Sequence, residues 1–401
     1  MASYPLGSAT LVLLLDDGWP SCTNISGRNG QGFCKTPAPR GADGRIVPDP
    51  KKFPNGMLEW TNYAHARGLK VGIYTAPHKT TCGGYTASLN NEAIDAQTFA
   101  DWGIDFVKLD AGCQNDCSIH DGCIKASLTR MRDGLNATGR RMVFYVDDGN
   151  PTSGPIVYNP FGRGVSNNSF TQSHIARQWN EEVVSWGPNM ANMWKLWFDR
   201  WDGWSSILDN AHQQVGMQWF QSCGAFNNMD MMTVGQGALT QGQYRAEMFL
   251  YAVLGTPLIL SADVSAFQKG SWENALVTNP EIIAVNQDPD CVQGTKISGL
   301  SSTQETSGSQ NWAGDMWVKP LSDGSFAAVI INKDPTAAHQ YDILFGGDGN
   351  GTGENLFPAG PFATAIVRDL YRRQDMGVFT FRFNVTVPPL DAVLVRIIPQ
   401  A

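Results

Sequence analysis

Short apolar runs alternate with amphipathic segments from the start of the chain to about residue 290. Seven runs are predicted strands, at residues 11–15, 69–75, 105–110, 142–147, 193–197, 216–221 and 257–262. Segments 57–67 and 91–102 have helical spacing, and a glycine, Gly68 or Gly103, follows each where helices commonly end. The repeated order of helix, glycine and β-prone run predicts a parallel sheet with right-handed crossovers.

Continuously apolar strands indicate a sheet that is buried on both faces. This pattern predicts an α/β fold of the (β/α)8 TIM-barrel type, with a doubly wound sheet as the alternative. A closed barrel needs eight strands, yet only ten residues precede the first of the seven predicted strands. We therefore expect the first βα unit to be missing or atypical.

The pattern changes near residue 298. Residues 298–310 are rich in Ser, Thr and Gly, which is typical of a linker. Short alternating runs then follow at 316–319, 326–332, 341–345, 379–383 and 392–398. Turn residues separate these runs, so they predict an antiparallel β-sandwich. The predicted organisation is a barrel domain at 1–298 and a C-terminal β-sandwich domain at 311–401.

The composition is that of an ordinary globular protein, with 42% apolar and 16% charged residues. A formal net charge of −8 argues against nucleic acid or an anionic membrane as a partner. The apolar run at 9–15 lacks a basic flank and a small-residue cleavage site, and it continues directly into Asp16. It therefore predicts a buried strand and not a signal peptide. The oligomeric state is left open.

Eight cysteines are present, at positions 22, 34, 82, 113, 117, 123, 223 and 291. Cys22 and Cys34 flank a loop rich in Gly and Asn, and three others crowd behind the strand at 105–110. Asn-x-Ser/Thr sequons occur at Asn24, Asn136, Asn167, Asn350 and Asn384. Together they favour disulfides and a glycoprotein that is secreted or lies in a lysosomal or vacuolar lumen. A zinc site including His120 is the alternative, but the spacing does not match standard zinc ligands.

The strand at 105–110 carries the first candidate chemistry. Lys108 and Asp110 lie two residues apart, so they face the same side of a strand, which in a barrel is the lumen. A lysine beside Asp110 is expected to lower its pKa and keep it ionised, as a carboxylate nucleophile requires. The alternative is a turn-capping aspartate that pairs with the lysine.

Further acids stand at other strand ends or in aromatic surroundings: Asp16, Asp17, Asp147, Asp148, Asp199, Asp230 and Asp263. Converging carboxylates suit either glycoside hydrolysis or a divalent cation. Lys108 and Lys195 would repel a cation, and aromatic neighbours suit a sugar. Asp199 has Trp197 and Trp201 nearby, so we expect partial desolvation that raises its pKa towards that of a general acid. No metal ion or other cofactor is expected.

Ordered motifs at 16–19, 44–56, 68–74, 95–103 and 107–110 make the chain resemble glycoside hydrolase family 27. This is the family of α-galactosidases and α-N-acetylgalactosaminidases. Motifs at 244–246, 256–258 and 285–289 continue the likeness over most of the chain. The resemblance implies a (β/α) barrel with a C-terminal antiparallel β domain, and a retaining α-glycosidase that acts on an oligosaccharide or glycoconjugate.

The resemblance also implies roles for individual residues. Asp110 matches the nucleophile and Asp199 the acid/base. Positions that would contact the sugar are Asp16, Asp17, Tyr74, Cys82, Lys108, Asp148, Lys195, Asp230 and Met231. Asp16 and Asp17 match a pair that binds the 6- and 4-hydroxyls, and a Cys82–Cys113 disulfide is implied beside the site.

Three departures leave the exact sugar open. Lys195 stands where the family has Arg, and Asp148-Gly149 replaces a Glu-Trp pair in the loop that separates 2-hydroxyl from 2-acetamido sugars. The family's usual start, with its sugar-facing Trp, is absent. The first hypothesis is an α-galactosidase. The alternatives are a relative that acts on another α-linked hexose, an α-N-acetylgalactosaminide or an α-glucan, and a non-catalytic sugar-binding protein.

Overall fold

The computed structural model describes residues 11–26, 33–112, 116–117, 122–147, 185–297, 314–345 and 362–400. By packing, the chain divides into two compact units, Met1–Phe198 and Asp199–Ala401. The predicted domain boundary near residue 298 stays a prediction. No helix within the described ranges has the length and apolar character that a membrane crossing requires.

The first unit contains a parallel sheet. Its strands pair in the order β1 (Val12–Leu15), β4 (Lys70–Thr75), β5 (Phe106–Asp110), β6 (Val143–Asp147) and β7 (Met193–Lys195). The helices are α1 (Met57–His65), α2 (Glu92–Asp101), α3 (Cys123–Ala137) and the helical residues 185–190, here α4. An antiparallel hairpin of β2 (Cys22–Ser26) and β3 (Phe33–Pro37) carries the Cys22–Cys34 disulfide.

The structure confirms the prediction that a glycine follows the end of each of the helices α1 and α2. Gly68 and Gly103 have φ values of 75° and 77°, in the left-handed region that glycine adopts without a steric penalty. Strands β4 and β5 are buried along nearly their whole length, as expected for a sheet covered on both faces. Strand β1 differs, because Val12 and Leu13 are 40% and 45% exposed. The expectation of a buried first strand is wrong.

The strand register places the chemistry-bearing residues side by side. Tyr74 on β4 lies opposite Lys108 on β5, and Asp110 at the end of β5 lies opposite Asp147 at the end of β6. Because alternate residues of a strand share a face, Lys108 and Asp110 point to the same side. The parallel sheet therefore brings an acid from each of two strands to one edge.

The second unit combines helices with an antiparallel β-sandwich. Its helices are α5 (Trp204–His212), α6 (Gln241–Leu254), α7 (Trp272–Val277) and α8 (Pro280–Asn286). Its strands are β8 (Phe226–Asn228), β9 (Thr295–Ile297), β10 (Asp315–Pro320), β11 (Phe326–Asn332), β12 (His339–Leu344), β13 (Thr364–Asp369), β14 (Gln374–Thr380), β15 (Arg382–Val387) and β16 (Asp391–Gln400). The larger sheet has the order β14-β13-β16-β11-β10-β9, and β12 pairs with β15.

Alternation along the strands builds two cores in this unit. Met316 and Val318 of β10 pack with Tyr341 and Phe383 between the sheets, whereas Trp317 joins the cluster formed with helix α6. Successive side chains of a strand point to opposite faces, so one strand serves both cores.

Two predicted strands are wrong. Residues 216–221 contain a short 3-10 helix, Gln218–Phe220, and the strand lies further on as β8. Residues 257–262 form only an isolated bridge, between Met232 and Leu260. The predicted strand at 379–383 is divided between β14 and β15, because Phe381 between them has a φ of 65°. Strand β13 and the β2–β3 hairpin were not predicted.

Candidate active site

The carboxylate of Asp110 is held at the carboxyl end of β5. The Tyr74 hydroxyl donates a hydrogen bond of 2.8 Å to Oδ2, and the backbone N–H of Gly112 donates one of 2.9 Å to Oδ1. Cys82 Sγ lies 3.3 Å from Oδ2. Because each oxygen has its own donor, the carboxylate is fixed in orientation.

A buried cluster of opposite charges lies next to Asp110. Lys108 Nζ is 2.8 Å from Asp147 Oδ2 and 3.1 Å from Asp16 Oδ2, and Lys195 Nζ is 2.6 Å from Asp147 Oδ1. Lys108, Asp147 and Lys195 are each at most 5% exposed. Charges at this depth persist only when they are paired, so the cluster fixes the positions of both ammonium groups.

The charges set the pKa values of the two acids in opposite directions. Burial, reinforced by the negative charge of Asp147, raises the pKa of Asp110 to about 6, although Lys108 and Lys195 act against the rise. Burial also opposes ionisation of Asp147, but the two lysines lower its pKa to about 2. The expectation that a lysine lowers the pKa of Asp110 below its ordinary value is wrong in net direction, because burial outweighs it.

Asp17 is held by the loop that contains Cys82. Its Oδ2 accepts a hydrogen bond of 2.6 Å from the N–H of Gly83, and its Oδ1 accepts one of 2.7 Å from the N–H of Gly18. Burial raises the pKa of this carboxyl. Cys82 is disulfide-bonded, as expected, while its implied partner Cys113 lies outside the described residues.

The first unit thus brings together most of the predicted site residues. Those that lie in contact or share one partner are Asp16, Asp17, Tyr74, Cys82, Lys108, Asp110 and Lys195. Asp148 lies outside the described residues. Asp147, which the sequence marked only as one of several strand-end acids, is the residue that links the two lysines. Its position opposite Asp110 in a parallel sheet is the signal that could have singled it out.

The second unit holds Asp199, Asp230 and Met231. The N–H of Arg200 donates a hydrogen bond of 2.8 Å to Asp230 Oδ2, and the N–H of Met231 donates one of 2.8 Å to Asp230 Oδ1. Asp199 therefore directly precedes the residue whose backbone N–H contacts Asp230. Asp199 is itself exposed, and its neighbour Trp201 is 56% exposed. The expectation that Asp199 is partly desolvated is therefore wrong.

The disulfides of the described chain go beyond the predicted pairs. Cys22–Cys34 is confirmed, and Cys117–Cys123 and Cys223–Cys291 are formed as well. The connectivity of the latter four cysteines had been left open, because spacing alone does not define pairing. These bonds favour disulfides over the zinc alternative for the cysteines after β5.

The arrangement in the first unit suits a polyol. Asp16 and Asp17 offer carboxylate acceptors, Lys108 offers ammonium donors, and Asp110 offers an oriented oxygen for attack. Donors and acceptors this close together match the vicinal hydroxyls of a sugar ring.

Comparison with known proteins identifies the family. The family model described as alpha galactosidase A matches residues 27–288, and that of the alpha galactosidase C-terminal beta sandwich domain matches residues 312–397. A probable alpha-galactosidase from Dictyostelium discoideum is 30% identical, over 89% of this chain and 79% of its own length. An alpha-N-acetylgalactosaminidase from Gallus gallus is 30% identical, over 92% of this chain and 80% of its own length.

Solved structures have the same fold. The alpha-galactosidase I of Mortierella vinacea matches with a TM-score of 0.76 at 23% identity, over 98% of this chain and 88% of that one. An alpha-galactosidase from Saccharomyces cerevisiae, solved with raffinose, matches with a TM-score of 0.72 at 20% identity, over 97% and 89%. The protein is thus a glycoside hydrolase of family 27, with a TIM-like α/β fold followed by an antiparallel β-sandwich.

Proposed function

We propose that the protein is a retaining α-galactosidase, which removes terminal α-D-galactosyl residues by double displacement. The observation that carries this proposal is the geometry at Asp110, whose two oxygens are fixed by Tyr74 and Gly112 beside the Lys108 ammonium group. A nucleophile must be held ready in one orientation, and each oxygen of this carboxylate accepts a hydrogen bond from its own donor.

In the first step Asp110 attacks the anomeric carbon as the glycosidic carbon–oxygen bond breaks. Asp199 gives its proton to the departing oxygen, and galactose is left as an ester on Asp110. In the second step Asp199 takes a proton from water, the water oxygen attacks the same carbon, and Asp110 leaves. Two inversions return the α configuration, and the chemistry requires carboxyl groups about 5–5.5 Å apart.

Sugar recognition is assigned to the surrounding charges. Asp16 and Asp17 accept hydrogen bonds from the 6- and 4-hydroxyls, and Lys108 donates to the 3- and 4-hydroxyls. The axial 4-hydroxyl distinguishes galactose from glucose, so an oriented carboxylate acceptor at that position favours galactosides. Lys195, which pairs with Asp147, is assigned to recognition of the 2-substituent, and the resemblance implies the same role for Asp148. Asp230 and Met231 are assigned as further sugar-contacting residues, as the resemblance implies.

The test is hydrolysis of a matched set of 4-nitrophenyl glycosides: the α-galactoside, the α-N-acetylgalactosaminide and the α-glucoside. We expect the α-galactoside to be turned over with the largest kcat/KM, and proton NMR to show α-galactose as the first product. A larger kcat/KM for either other sugar would transfer the assignment to that sugar. Galactose binding without turnover of any of them would show a sugar-binding protein.

We also propose that the protein works outside the cytosol, as a secreted or lysosomal or vacuolar glycoprotein. The three described disulfides support an oxidising environment. Sequons at Asn24 and Asn384 lie within the described residues as glycosylation candidates. A mass decrease after endoglycosidase treatment of the natural protein is expected. An unchanged mass, together with free thiols, would contradict the proposal.

A further inference from the structure

An ion pair is buried directly behind the residue proposed as acid/base. The Arg200 side chain is 1% exposed and contacts Glu247 of helix α6, whose side chain is fully buried. Arg200 Nη2 also donates a hydrogen bond of 3.1 Å to Thr233 Oγ1. The N–H of Thr233 donates one of 2.9 Å to Glu247 Oε1, so the three residues form a closed interior cluster.

The backbone of Arg200 extends this cluster to the site. Its N–H donates to Asp230 Oδ2 at 2.8 Å, while its side chain is anchored on α6. Asp230 itself has a φ of 71°, a conformation that non-glycine residues rarely adopt. The Tyr251 hydroxyl, also on α6, donates 2.9 Å to the carbonyl oxygen of Asp230. Helix α6 thus holds the segments around Asp199 and Asp230 at two separate points.

A contribution to stability alone does not explain why the Arg200–Glu247 ion pair is buried. Removing two charges from water is costly, and well-packed apolar side chains of similar volume often serve the fold equally well. Arg200 Nε and Nη1 are also buried without a hydrogen-bond partner in the described chain. The guanidinium group is therefore located by Glu247 and Thr233, while two of its three nitrogen atoms make no hydrogen bond within the described chain. A buried Arg200 with unused N–H groups, directly after Asp199 in the chain, therefore indicates a role in positioning.

We propose that Arg200 and Glu247 are a positioning pair that locks the turn carrying Asp199 onto helix α6, so that the Asp199 carboxyl is presented for proton transfer. This inference rests on the proposed function in one respect, the role of Asp199 as acid/base. Neither member of the pair contacts the substrate. Glu247 holds the Arg200 side chain, and Arg200 acts through its own backbone N–H, which belongs to the Asp199–Arg200 peptide.

The experiment compares the double variant Arg200→Met/Glu247→Met with Asp391→Asn. The double variant replaces the ion pair by apolar side chains of similar length. The control weakens a second, less buried ion pair on the same helix, in which Arg245 Nε lies 3.0 Å from Asp391 Oδ1. Each protein is assayed with raffinose, which has a poor leaving group, and with 2,4-dinitrophenyl α-galactoside, which has a good one. Thermal unfolding is measured in parallel.

We expect the double variant to lose about 10- to 100-fold in kcat on raffinose, because a misplaced catalytic group costs that much. The dinitrophenyl substrate needs little protonation, so its kcat should fall less than about 3-fold. The melting temperature should stay equal or rise, and Asp391→Asn should change neither substrate's kcat. The single variant Glu247→Gln keeps one oxygen acceptor for Arg200. Its kcat on raffinose should therefore lie between that of the double variant and that of the wild type.

Equal losses on both substrates, or no loss on either, would overturn the inference. A fall in kcat that follows the folded fraction would assign the pair a purely structural role. Asp199→Asn separates this failure from failure of the proposed function. If that variant shows no leaving-group dependence, Asp199 is not the acid. If it does and the double variant does not, only the positioning role is wrong.

Discussion

Replacing Asp147 by Asn is expected to shift the acidic limb of the pH–activity profile downward. Asp110 must be ionised to attack, and its pKa of about 6 means that activity is lost as the pH falls through that value. The negative charge of Asp147 contributes to this raised pKa. Removing it leaves burial as the main influence that opposes the attraction of Lys108 and Lys195 for ionised Asp110, so the pKa of Asp110 should fall.

The register of the sheet gives the size of the shift. Asp110 and Asp147 are partners on neighbouring parallel strands, which lie about 5 Å apart. Two unit charges about 6 Å apart interact by about 3 kcal/mol at an effective dielectric constant of about 20. Since 1.36 kcal/mol corresponds to one pKa unit, the limb should move from about 6 towards about 4.

The measurement is kcat/KM for 2,4-dinitrophenyl α-galactoside between pH 3.5 and 8, because this ratio reports ionisations of the free enzyme. The shape of the profile is compared and not its height, since Asp147→Asn also alters the binding cluster. Asp133→Asn changes net charge equally on the exposed face of α3 and should leave the limb in place. A limb that stays at or above 6 in Asp147→Asn would refute the electrostatic reasoning.

Further changes have distinct expected outcomes. Asp110→Asn should abolish turnover yet raise the free energy of unfolding by up to ~3 kcal/mol at pH 8, because a carboxyl with a pKa of about 6 no longer has to ionise in the folded state. Urea unfolding should show the gain disappearing below pH ~4, where the carboxyl is protonated in both states. Asp199→Asn should slow raffinose hydrolysis at least ~100-fold and the dinitrophenyl substrate far less. Gly84→Ala should raise KM, because a Cβ at this φ of 82° would overlap the carbonyl oxygen of Cys34 and displace the loop that holds Asp17.

Each of these expectations has a contradicting result. Turnover by Asp110→Asn near the wild-type rate would remove the nucleophile assignment. A stability gain that is equal at pH 4 and pH 8 would show that ionisation is not its cause. Equal losses on both substrates in Asp199→Asn would exclude a role in protonating the leaving group. An unchanged KM in Gly84→Ala would show that the loop around Cys82 does not position Asp17.

The parallel part of the fold was predictable because its signals are local. Gly68 and Gly103 follow helix ends in the left-handed conformation, and β4, β5 and β6 consist mainly of apolar residues. The errors come from segments whose structure depends on distant partners. Residues 216–221 have β-prone composition, but the chain there forms a 3-10 turn and the strand begins only at Phe226. Strand β13 lies between β14 and β16 in the sheet, so its formation depends on pairing that the pattern of its own six residues does not show.

The same distinction applies to the site. The residues that share β5, Lys108 and Asp110, could be placed together from their spacing of two. The role of Asp147 could not, because it depends on the register between β5 and β6. The pKa of Asp110 was mispredicted for a related reason. Sequence shows that a lysine is near, but not that burial and a second acid outweigh it.

The proposed function depends above all on a covalent bond between Asp110 and the sugar. The most direct test is incubation with 5-fluoro-α-galactosyl fluoride, whose ring fluorine slows release of the intermediate while its anomeric fluoride leaves easily. Peptide mapping by mass spectrometry should find one fluorogalactosyl group, on Asp110, and none on the Asp110→Asn variant. A label on another carboxylate such as Asp147, or turnover of the reagent with no covalent adduct, would contradict the account.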